Sequence, residues 1–319
     1  MATFDVSSIG FNALDILGRP MTRIPPEAQS DIVEEINMTV AGTAGATAVD
    51  CAILGLKTRL VSSVGCDDVG EFLLSKLAQY GVDTAEVARD ASMRTSTSII
   101  AVQPDGARPG YFMPGTADTF VVDPAGYEAA LDAKIIHVGG AGLLPSFEGK
   151  PAADLLKRAK ELGRITTLDV NDSSPETWRK LQLCLSYVDY FSPSIEEAQS
   201  MTGLSSVTEI IDLFKAHGAS NVVLTLGDAG AYVAPIYGEP YYIPAFDIAV
   251  VDTTGCGDGF TAGLIVGLAH DWALEDCARF ASAVGSRIAL GLGSLGGLKG
   301  FDDTLQAMNS LPLKVRAIK

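Results

Sequence analysis

Between residues 134 and 226 the sequence switches repeatedly between short β-branched stretches and longer amphipathic stretches. The pattern predicts strands at 134–138, 165–169, 188–191 and 221–226, separated by helices at 151–162, 175–186, 195–202 and 207–217. Strands that alternate with helices form a mainly parallel sheet with helices on both faces, and such sheets bind ligands beyond the carboxyl ends of their strands. We therefore predict an α/β fold, a three-layer α/β/α sandwich around a mainly parallel central sheet.

Two stretches of the amino-terminal part do not fit this alternation. Residues 11–41 are irregular and end in an exposed alternating stretch at 35–40. Residues 97–103 and 110–113 predict a hairpin joined by the turn Pro104-Asp105-Gly106. We predict that these segments form a small sheet outside the main body.

The composition excludes several classes of function. The chain has a formal net charge of −16 and a sequence pI near 4.5, whereas binding to nucleic acids or anionic membranes requires a basic surface. No stretch reaches the roughly 18 apolar residues of a membrane-spanning helix. The five cysteines show neither zinc nor disulfide spacing. We therefore expect a cytoplasmic protein with reduced thiols that binds neither nucleic acid nor membrane.

The stretch VDTTGCGDGFTAGL at 251–264 has the residue types of a phosphoryl-transfer site. Small residues at 255–257 leave backbone N–H groups uncovered where a helix, about 256–269, begins. Such amides and the positive end of the helix dipole form an anion site. Asp258 in this turn can accept a proton from a hydroxyl while the amides stabilise a transferred phosphoryl group. The alternative is that Asp252 or Thr254 only caps the helix and the glycines serve tight packing.

The motif DTTGCGDGF resembles the carboxyl-terminal signature of the ribokinase-like (PfkB) kinases, D-T-T-G-A-G-D. Further segments resemble that family in the same order along the chain, namely 54–84, PDGAR at 104–108, LDVNDSSPETW at 168–178, SPSIEEAQSMTG at 192–203 and VVLTLGDAGAYV at 222–233. The resemblance implies a ribokinase-like fold. It also implies an ATP-dependent kinase that phosphorylates a hydroxyl of a small sugar-like acceptor.

By this resemblance, Asp258 is the catalytic base, and Gly255, Cys256 and Gly257 form the anion hole. The family usually has alanine where Cys256 stands. Because a thiol at a helix N-terminus can have a lowered pKa, we expect alkylation of Cys256 to inhibit the enzyme and ATP to protect it.

The resemblance also assigns residues to the metal ions and the nucleotide. Glu197 corresponds to the acid of an N-x-x-E motif that organises magnesium, with Ser194 in place of the asparagine. Asp252, with the carbonyl groups of Thr254 and of the 293–294 region, resembles a potassium site. The residues expected near the nucleotide and its phosphates are Thr225, Gly227, Asn171 with the neighbouring Asp169, and Ser282.

The acceptor site is assigned in the same way. Asp15 resembles the acid that binds acceptor hydroxyl groups, and the glycine-rich stretch that accompanies it contributes Gly42, Thr43 and Thr47. Ala46 stands where the family has a substrate-binding asparagine. Because a methyl group cannot hydrogen-bond a hydroxyl, either Thr47 compensates or the acceptor differs from the common furanose sugars.

The resemblance further implies one kinase domain over residues 1–319 with a small β-sheet lid. The core comprises about 1–10, 42–93 and 119–319, and the lid excursions are about 11–41 and 94–118. Closure of a lid excludes water and so suppresses ATP hydrolysis. In some relatives the lid is also a dimer interface, which extends the resemblance to a homodimer.

Two other functions stay open, and two further ones do not fit the sequence. A nucleoside could replace the sugar, because Phe11, Tyr111 and Phe112 could stack on a base. A non-catalytic ligand-binding relative would keep the fold without turnover. A dehydrogenase is disfavoured because the G-x-G-x-x-G pattern at 291–296 follows a helix instead of a strand. A P-loop enzyme is excluded because no G-x-x-x-x-G-K-[ST] motif occurs.

Overall fold

The computed structural model describes residues 2–104 and 107–314. The strands are β1 (Phe4–Gly10), β2 (Ala13–Arg19), β3 (Glu35–Ala41), β4 (Thr58–Gly65), β5 (Asp83–Asp90), β6 (Thr97–Ala101), β7 (Gly110–Met113), β8 (Ala133–Ala141), β9 (Ile165–Val170), β10 (Tyr190–Phe191), β11 (Asn221–Thr225), β12 (Ala231–Ala234) and β13 (Tyr241–Ile243). The α-helices are α1 (Gly45–Ile53), α2 (Asp68–Gln79), α3 (Tyr127–Ala130), α4 (Lys150–Glu161), α5 (Pro175–Leu181), α6 (Ile195–Thr202), α7 (Val207–Ala216), α8 (Cys256–Ala269), α9 (Leu274–Ile288) and α10 (Phe301–Ser310).

The main sheet has nine strands in the order β13-β12-β11-β10-β9-β8-β1-β4-β5. Every pair from β11 to β5 is parallel, and only β12 and β13 run antiparallel to their neighbours in the described chain. The chain starts in the middle of this sheet with β1, adds β4 and β5 on one side and β8 to β11 on the other. Such a reversal of strand order leaves a crevice at the carboxyl ends of the central strands.

Alternate residues of the central strands face two separate hydrophobic layers. In β8, Ile136 packs with the helices α4 to α7, whereas its neighbour Ile135 packs with α8 and α9. In β11, Val222 and Val223 divide between the two layers in the same way. Because successive side chains of a strand point to opposite faces, the sheet is covered on both sides. The predicted three-layer α/β/α class is confirmed.

The second sheet has four strands in the order β3-β2-β6-β7 and contains all three strands that the sequence predicted for it. Of the turn Pro104-Asp105-Gly106 between β6 and β7, Asp105 and Gly106 lie outside the described residues. The antiparallel pairing of β6 with β7 agrees with the predicted hairpin.

Two strands and two helices were not predicted. The segment after β1 was wrongly expected to be irregular, yet it forms β2, which is buried over most of its length and therefore lacks alternation. The edge strand β5 is rich in charged residues, as edge strands are, and so does not resemble a core strand. The four-residue helix α3 and the helix α10 were also missed. The helix predicted at 175–186 ends already at Leu181.

In the described part of the chain, no helix combines the length and the apolar character that crossing a bilayer requires.

Candidate active site

The turn that begins α8 is open to a ligand. Its N-cap residue, Gly255, has φ +77°, and a Cβ there would lie 2.4 Å from the Cα of Ser294, so only glycine fits. The N-cap makes no side-chain hydrogen bond to the first turn of α8. A Cβ at Gly257, in contrast, would meet nothing within 4 Å. The N–H of Cys256 donates to the carbonyl of Thr253 at 3.3 Å, whereas those of Gly257 and Asp258 have no hydrogen-bond partner among the residues described and remain available to an anion.

Asp258 lies in this first turn and is half-buried. Burial raises its pKa to about 7, and the negative charges of Asp15 and Glu197 act in the same direction, whereas the positive charge of Arg108 opposes them. The hydroxyl of Thr47 donates to the backbone carbonyl of Asp258 at 3.4 Å and so ties α1 to the start of α8. A carboxylate with a pKa near neutrality is well matched to accept a proton from a hydroxyl.

Asp252 fixes the chain segment that precedes α8. Its Oδ1 accepts hydrogen bonds from the backbone N–H of Thr254 at 3.0 Å and from the Thr254 hydroxyl at 2.8 Å. Its Oδ2 accepts from the backbone N–H of Gly293 at 2.9 Å. The buried carboxylate therefore fixes the turn before α8 against the 291–296 loop. The assignment of Asp252 and Thr254 to a potassium site stays a prediction.

Glu197 is held by the N-terminus of α6. Ser194 and Glu197 form a reciprocal capping box, in which the Glu197 carboxylate accepts from the Ser194 N–H at 2.7 Å and the Ser194 hydroxyl accepts from the Glu197 N–H at 3.2 Å. Burial raises the pKa of Glu197 despite these hydrogen bonds. Serine at the asparagine position of the motif thus still positions the acid, through the helix cap.

Asp169 brings a third acid to this edge of the sheet, from the end of β9. Its carboxylate accepts from the backbone N–H of Val170 at 2.8 Å and from the hydroxyl of Thr261 at 3.1 Å. Burial raises the pKa of Asp169 well above its usual range, and the charges of Glu197 and Asp258 add to the effect. Within the described ranges, no three acidic, histidine or cysteine side chains lie close enough together to hold a metal ion on their own. A divalent ion here would need further oxygen ligands from a substrate.

Three of the residues predicted for the nucleotide lie at or just after the ends of β9 and β11 along the same edge, and the role of Ser282 stays a prediction. Thr225 forms an isolated parallel bridge with Ser194 and so stands beside the start of α6. Gly227, with φ +57°, faces open space, and Asn171 is exposed at the end of β9. Ser282 is buried in α9, where its backbone carbonyl accepts a hydrogen bond from the Ser286 hydroxyl at 2.8 Å.

Asp15 is buried in β2 on the face of the small sheet that points towards α8. In the strand register it lies beside Thr39 on β3 and Ser98 on β6, and Ser98 in turn lies beside Phe112 on β7. Burial raises the pKa of Asp15 to about 6, although a hydrogen bond from Ser98 and the charge of Arg108 lower it. The small sheet therefore presents a row of polar side chains ending in an aromatic ring.

The glycine-rich stretch before α1 is tightly packed. Gly42 has φ +86°, and a Cβ there would lie 2.6 Å from the backbone oxygen of Phe11. Thr43 is buried, and its hydroxyl has no hydrogen-bond partner among the residues described. Ala46 and Thr47 are fully buried, and the Thr47 hydroxyl is used to hold Asp258. Contact of these residues with an acceptor stays a prediction.

The expectation that Cys256 has a lowered pKa is wrong. Burial raises the pKa of its thiol to about 12, and the charge of Arg108 only partly opposes this. The neighbouring acids Asp252, Asp258 and Asp50 add to the rise. Cys256 is therefore a protonated thiol that we no longer expect to be reactive.

Two residues near the site had no predicted role. Arg108 donates from Nη1 to the hydroxyl of Thr254 at 3.0 Å; it is the last residue of the PDGAR segment, which was noted only as a resemblance. Asp50 is fully buried in α1, and neither of its carboxylate oxygens has a hydrogen-bond partner in the described chain. Burial, and then the charge of Asp258, raise its pKa well above the usual range. An isolated acid in a helical pattern gave no sequence signal for this position.

Of the aromatic residues considered for a nucleoside, only two face the site. Phe11 and Phe112 form an edge-to-face pair with ring centroids 5.7 Å apart. Tyr111 is 71% exposed on the opposite face of the small sheet.

A family model described as pfkB family carbohydrate kinase matches residues 13–296. A fructokinase of Klebsiella pneumoniae is 28% identical over 261 residues, which cover 80% of this chain and 83% of that protein. A 2-dehydro-3-deoxygluconokinase of Bacillus subtilis is 27% identical over 280 residues, covering 83% of this chain and 86% of the other. Among solved structures, a candidate ribokinase II of Escherichia coli in complex with ATP and Mg²⁺ aligns with a TM-score of 0.83 at 20% identity, over 96% of this chain and 99% of that one.

Proposed function

This chain belongs to the pfkB family of carbohydrate kinases, and we propose that it transfers the γ-phosphoryl group of ATP to a hydroxyl of a small sugar-like acceptor with Asp258 as general base. The observation that supports the assignment most directly is the uncapped N-terminus of α8, which places free backbone N–H groups and the Asp258 carboxylate in one turn. The carboxylate accepts the hydroxyl proton as the acceptor oxygen attacks. The amides of Gly255, Cys256 and Gly257 stabilise the charge on the transferred group.

The other assignments follow from the arrangement around this turn. Asp15 binds acceptor hydroxyl groups from the small sheet, which we propose acts as a lid of the same domain, with Gly42, Thr43 and Thr47 at the start of α1 completing the acceptor side. Thr225, Gly227 and Asn171 line the nucleotide side at the ends of β11 and β9. Ser282 is retained as the proposed adenine neighbour on the resemblance alone.

Magnesium fits the residues present. Glu197 is fixed by its capping box and lies close enough to Asp169 for their charges to interact, and neither acid forms an ion pair in the described chain. When bound, the ion would supply positive charge that offsets the negative charge of the nucleotide phosphates. We propose Glu197 as the residue that organises it and Asp252 with the carbonyl of Thr254 as the residues that hold a potassium ion.

The outer face of the small sheet supports a homodimer. Met38, Ile16, Ile99 and Tyr111 lie side by side across all four strands, and Met38, Ile99 and Tyr111 are 42%, 54% and 71% exposed. An apolar row of this kind is typical of a protein interface. We propose that two lids pair through it. Ile99→Glu should then yield monomers in sedimentation velocity, and an unchanged sedimentation coefficient would remove this interface.

We propose the cytoplasm as the compartment, supported by five free cysteines.

The function is tested by ADP release with magnesium and potassium present, measured against ketoses, aldoses, sugar acids and nucleosides. We expect at least one acceptor to stimulate ADP release well above the rate with ATP alone. The nucleoside arm tests the second candidate, which the Phe11–Phe112 pair favours. Nucleotide binding without stimulation by any acceptor would support a non-catalytic ligand-binding relative instead.

A further inference from the structure

His137 connects the main sheet to the glycine-rich stretch before α1. It lies on the central strand β8, is fully buried, and has a hydrogen-bond partner on each side of its ring. Its Nδ1 lies 3.0 Å from the hydroxyl of Thr167 on β9. Its Nε2 lies 3.3 Å from the backbone carbonyl oxygen of Thr43. The ring therefore bridges a second strand of the sheet and the segment that leads into α1.

The two partners determine which ring nitrogen carries the proton. A backbone carbonyl can only accept, so Nε2 of His137 donates to Thr43, and Nδ1 accepts from the Thr167 hydroxyl. Burial lowers the pKa of His137 to about 4, although the hydrogen bond to Thr43 opposes this change. The ring is therefore neutral near pH 7, where Asp258 titrates, and the hydrogen bond to Thr43 persists while Asp258 gains or loses a proton.

A residue of the neighbouring strand anchors the same segment. Ser8 on β1 is the register partner of His137, and its hydroxyl donates to the backbone carbonyl of Ala44 at 2.7 Å. Thr167 is the register partner of His137 on the other side. The three side chains thus form a polar row across β1, β8 and β9. From this row, hydrogen bonds reach two consecutive carbonyl groups, those of Thr43 and Ala44.

Two glycines that follow His137 on β8 allow the segment to come this close to the sheet. A Cβ at Gly139 would lie 2.7 Å from the carbonyl carbon of Thr43. A Cβ at Gly140 would lie 2.4 Å from the Cβ of Phe11 and 3.3 Å from the hydroxyl oxygen of Thr43. The Thr43 carbonyl is therefore held by the sheet, whereas its buried hydroxyl has no hydrogen-bond partner in the described chain.

We propose that His137 is a positioning residue for acceptor binding, which fixes the Thr43 carbonyl to the sheet so that the Thr43 hydroxyl is directed to the acceptor. This inference rests on the proposed function, which places Gly42, Thr43 and Thr47 on the acceptor side. The Thr47 hydroxyl donates to the backbone carbonyl of Asp258, so a displaced segment would also change the position of the acceptor relative to the base.

The kinetic test compares His137→Leu, which fills most of the same space without hydrogen bonds, with His137→Gln, whose amide can still donate to the carbonyl. For an acceptor identified by ADP release, His137→Leu should raise the acceptor KM about 10–100-fold, because small displacements of a binding group have large effects. The kcat and the KM for ATP should stay within about threefold. His137→Gln should recover part of the loss, which a role of the ring in packing alone would not produce.

Thr167→Val and Thr166→Val form a matched pair of variants. Both threonines are buried on β9, but the Thr166 hydroxyl lies on the opposite face of the sheet, where it donates to the backbone carbonyl of Tyr187 at 2.7 Å. Both variants should lower the melting temperature, because each removes a buried hydrogen bond. Only Thr167→Val should raise the acceptor KM, by about three- to tenfold, since His137 loses one of its two partners.

Two measurements need no acceptor. Hydrogen–deuterium exchange of residues 42–47 should be faster in His137→Leu than in the wild type and unchanged in Thr166→Val. Nitrogen–proton correlation spectra of the histidine rings at pH 7 should show one neutral ring protonated on Nε2 that is absent from His137→Gln. That signal belongs to His137.

Four outcomes would overturn the inference. They are unchanged exchange of residues 42–47 in His137→Leu, a His137 ring protonated on Nδ1, equal rises of the acceptor KM in Thr166→Val and Thr167→Val, and a loss of ATP affinity in His137→Leu as large as that of acceptor affinity. Absence of ADP release with every acceptor would instead remove the proposed kinase function. The exchange and ring measurements would then still decide whether His137 fixes this segment.

Discussion

Two helix N-termini at the same edge of the main sheet differ in their capping. The N-terminus of α6 is closed by the capping box of Ser194 and Glu197, whereas that of α8 begins at Gly255 without any side-chain cap. A closed N-terminus fixes a carboxylate in one orientation, which suits a cation. An open N-terminus leaves N–H groups for an anion. Depending on its cap, a helix N-terminus can therefore contribute either to a metal site or to a phosphoryl-binding site of a phosphotransferase.

Replacement of Asp258 by asparagine, in the uncapped turn of α8, should lower activity more than any other change at these two N-termini. It removes the base but keeps the open turn, so kcat should fall by about 10²–10⁴-fold while the KM for ATP changes little. Steady-state ADP release with a productive acceptor measures both constants. Asp302→Asn changes an exposed acid in the first turn of α10 and is the control. Retention of kcat in Asp258→Asn would remove the general-base assignment.

The variant Gly257→Ala tests whether a phosphoryl group occupies the free space beside the first turn of α8. A Cβ there meets nothing in the protein, and alanine favours a helix, so the melting temperature should stay equal or rise. The methyl group would occupy the space proposed for the phosphoryl group, so kcat/KM for ATP should fall about 10–100-fold. Gly126→Ala, at another open glycine far from the site, serves as control. A fully active Gly257→Ala variant would show that phosphate does not approach this turn.

The pH dependence of kcat/KM tests how the charges around the α8 turn act on Asp258. Because Asp258 must be ionised to act as base, kcat/KM should rise with pH through about 7, its pKa in the structure. Arg108→Gln removes a positive charge that lowers this pKa, so the midpoint should move to higher pH. Asp15→Asn removes a negative charge that raises it, so the midpoint should move to lower pH. Shifts of the same sign in both variants would contradict the assignment.

Opening the α6 cap with Ser194→Ala should have the smallest effect. Loss of an N-cap costs about 1 kcal/mol, and Glu197 would lose one of its two anchors. We expect the magnesium concentration for half-maximal ADP release to rise several-fold, with kcat at saturating magnesium nearly unchanged. Ser194→Asn, which keeps a good N-cap, should behave like the wild type. An unaltered magnesium dependence of Ser194→Ala would separate Glu197 from the metal.

The sequence predicted the α8 turn because all its parts are local: Asp252 to Asp258 are consecutive, and their conformation depends little on distant residues. The parallel core was also predictable, since its strands alternate with helices. The buried β2 was missed because both of its faces are covered, and no periodicity marks such a strand. Arg108 and Asp50 could not be placed, because their surroundings arise only when the small sheet and α1 pack beside α8.

The acids buried around this site also affect folding itself. The pKa values of Asp15, Asp50, Asp169, Glu197 and Asp258 are all raised in the folded chain, so the native state binds more protons than the unfolded state between the ordinary carboxyl pKa near 3.8 and the raised values, which reach about 7 for Asp258. In that window stability falls as pH increases. Folding therefore takes up protons, and near neutral pH the folded site holds electrostatic repulsion that a bound cation would relieve. We expect magnesium binding to release protons and to raise the melting temperature more at pH 8 than at pH 5.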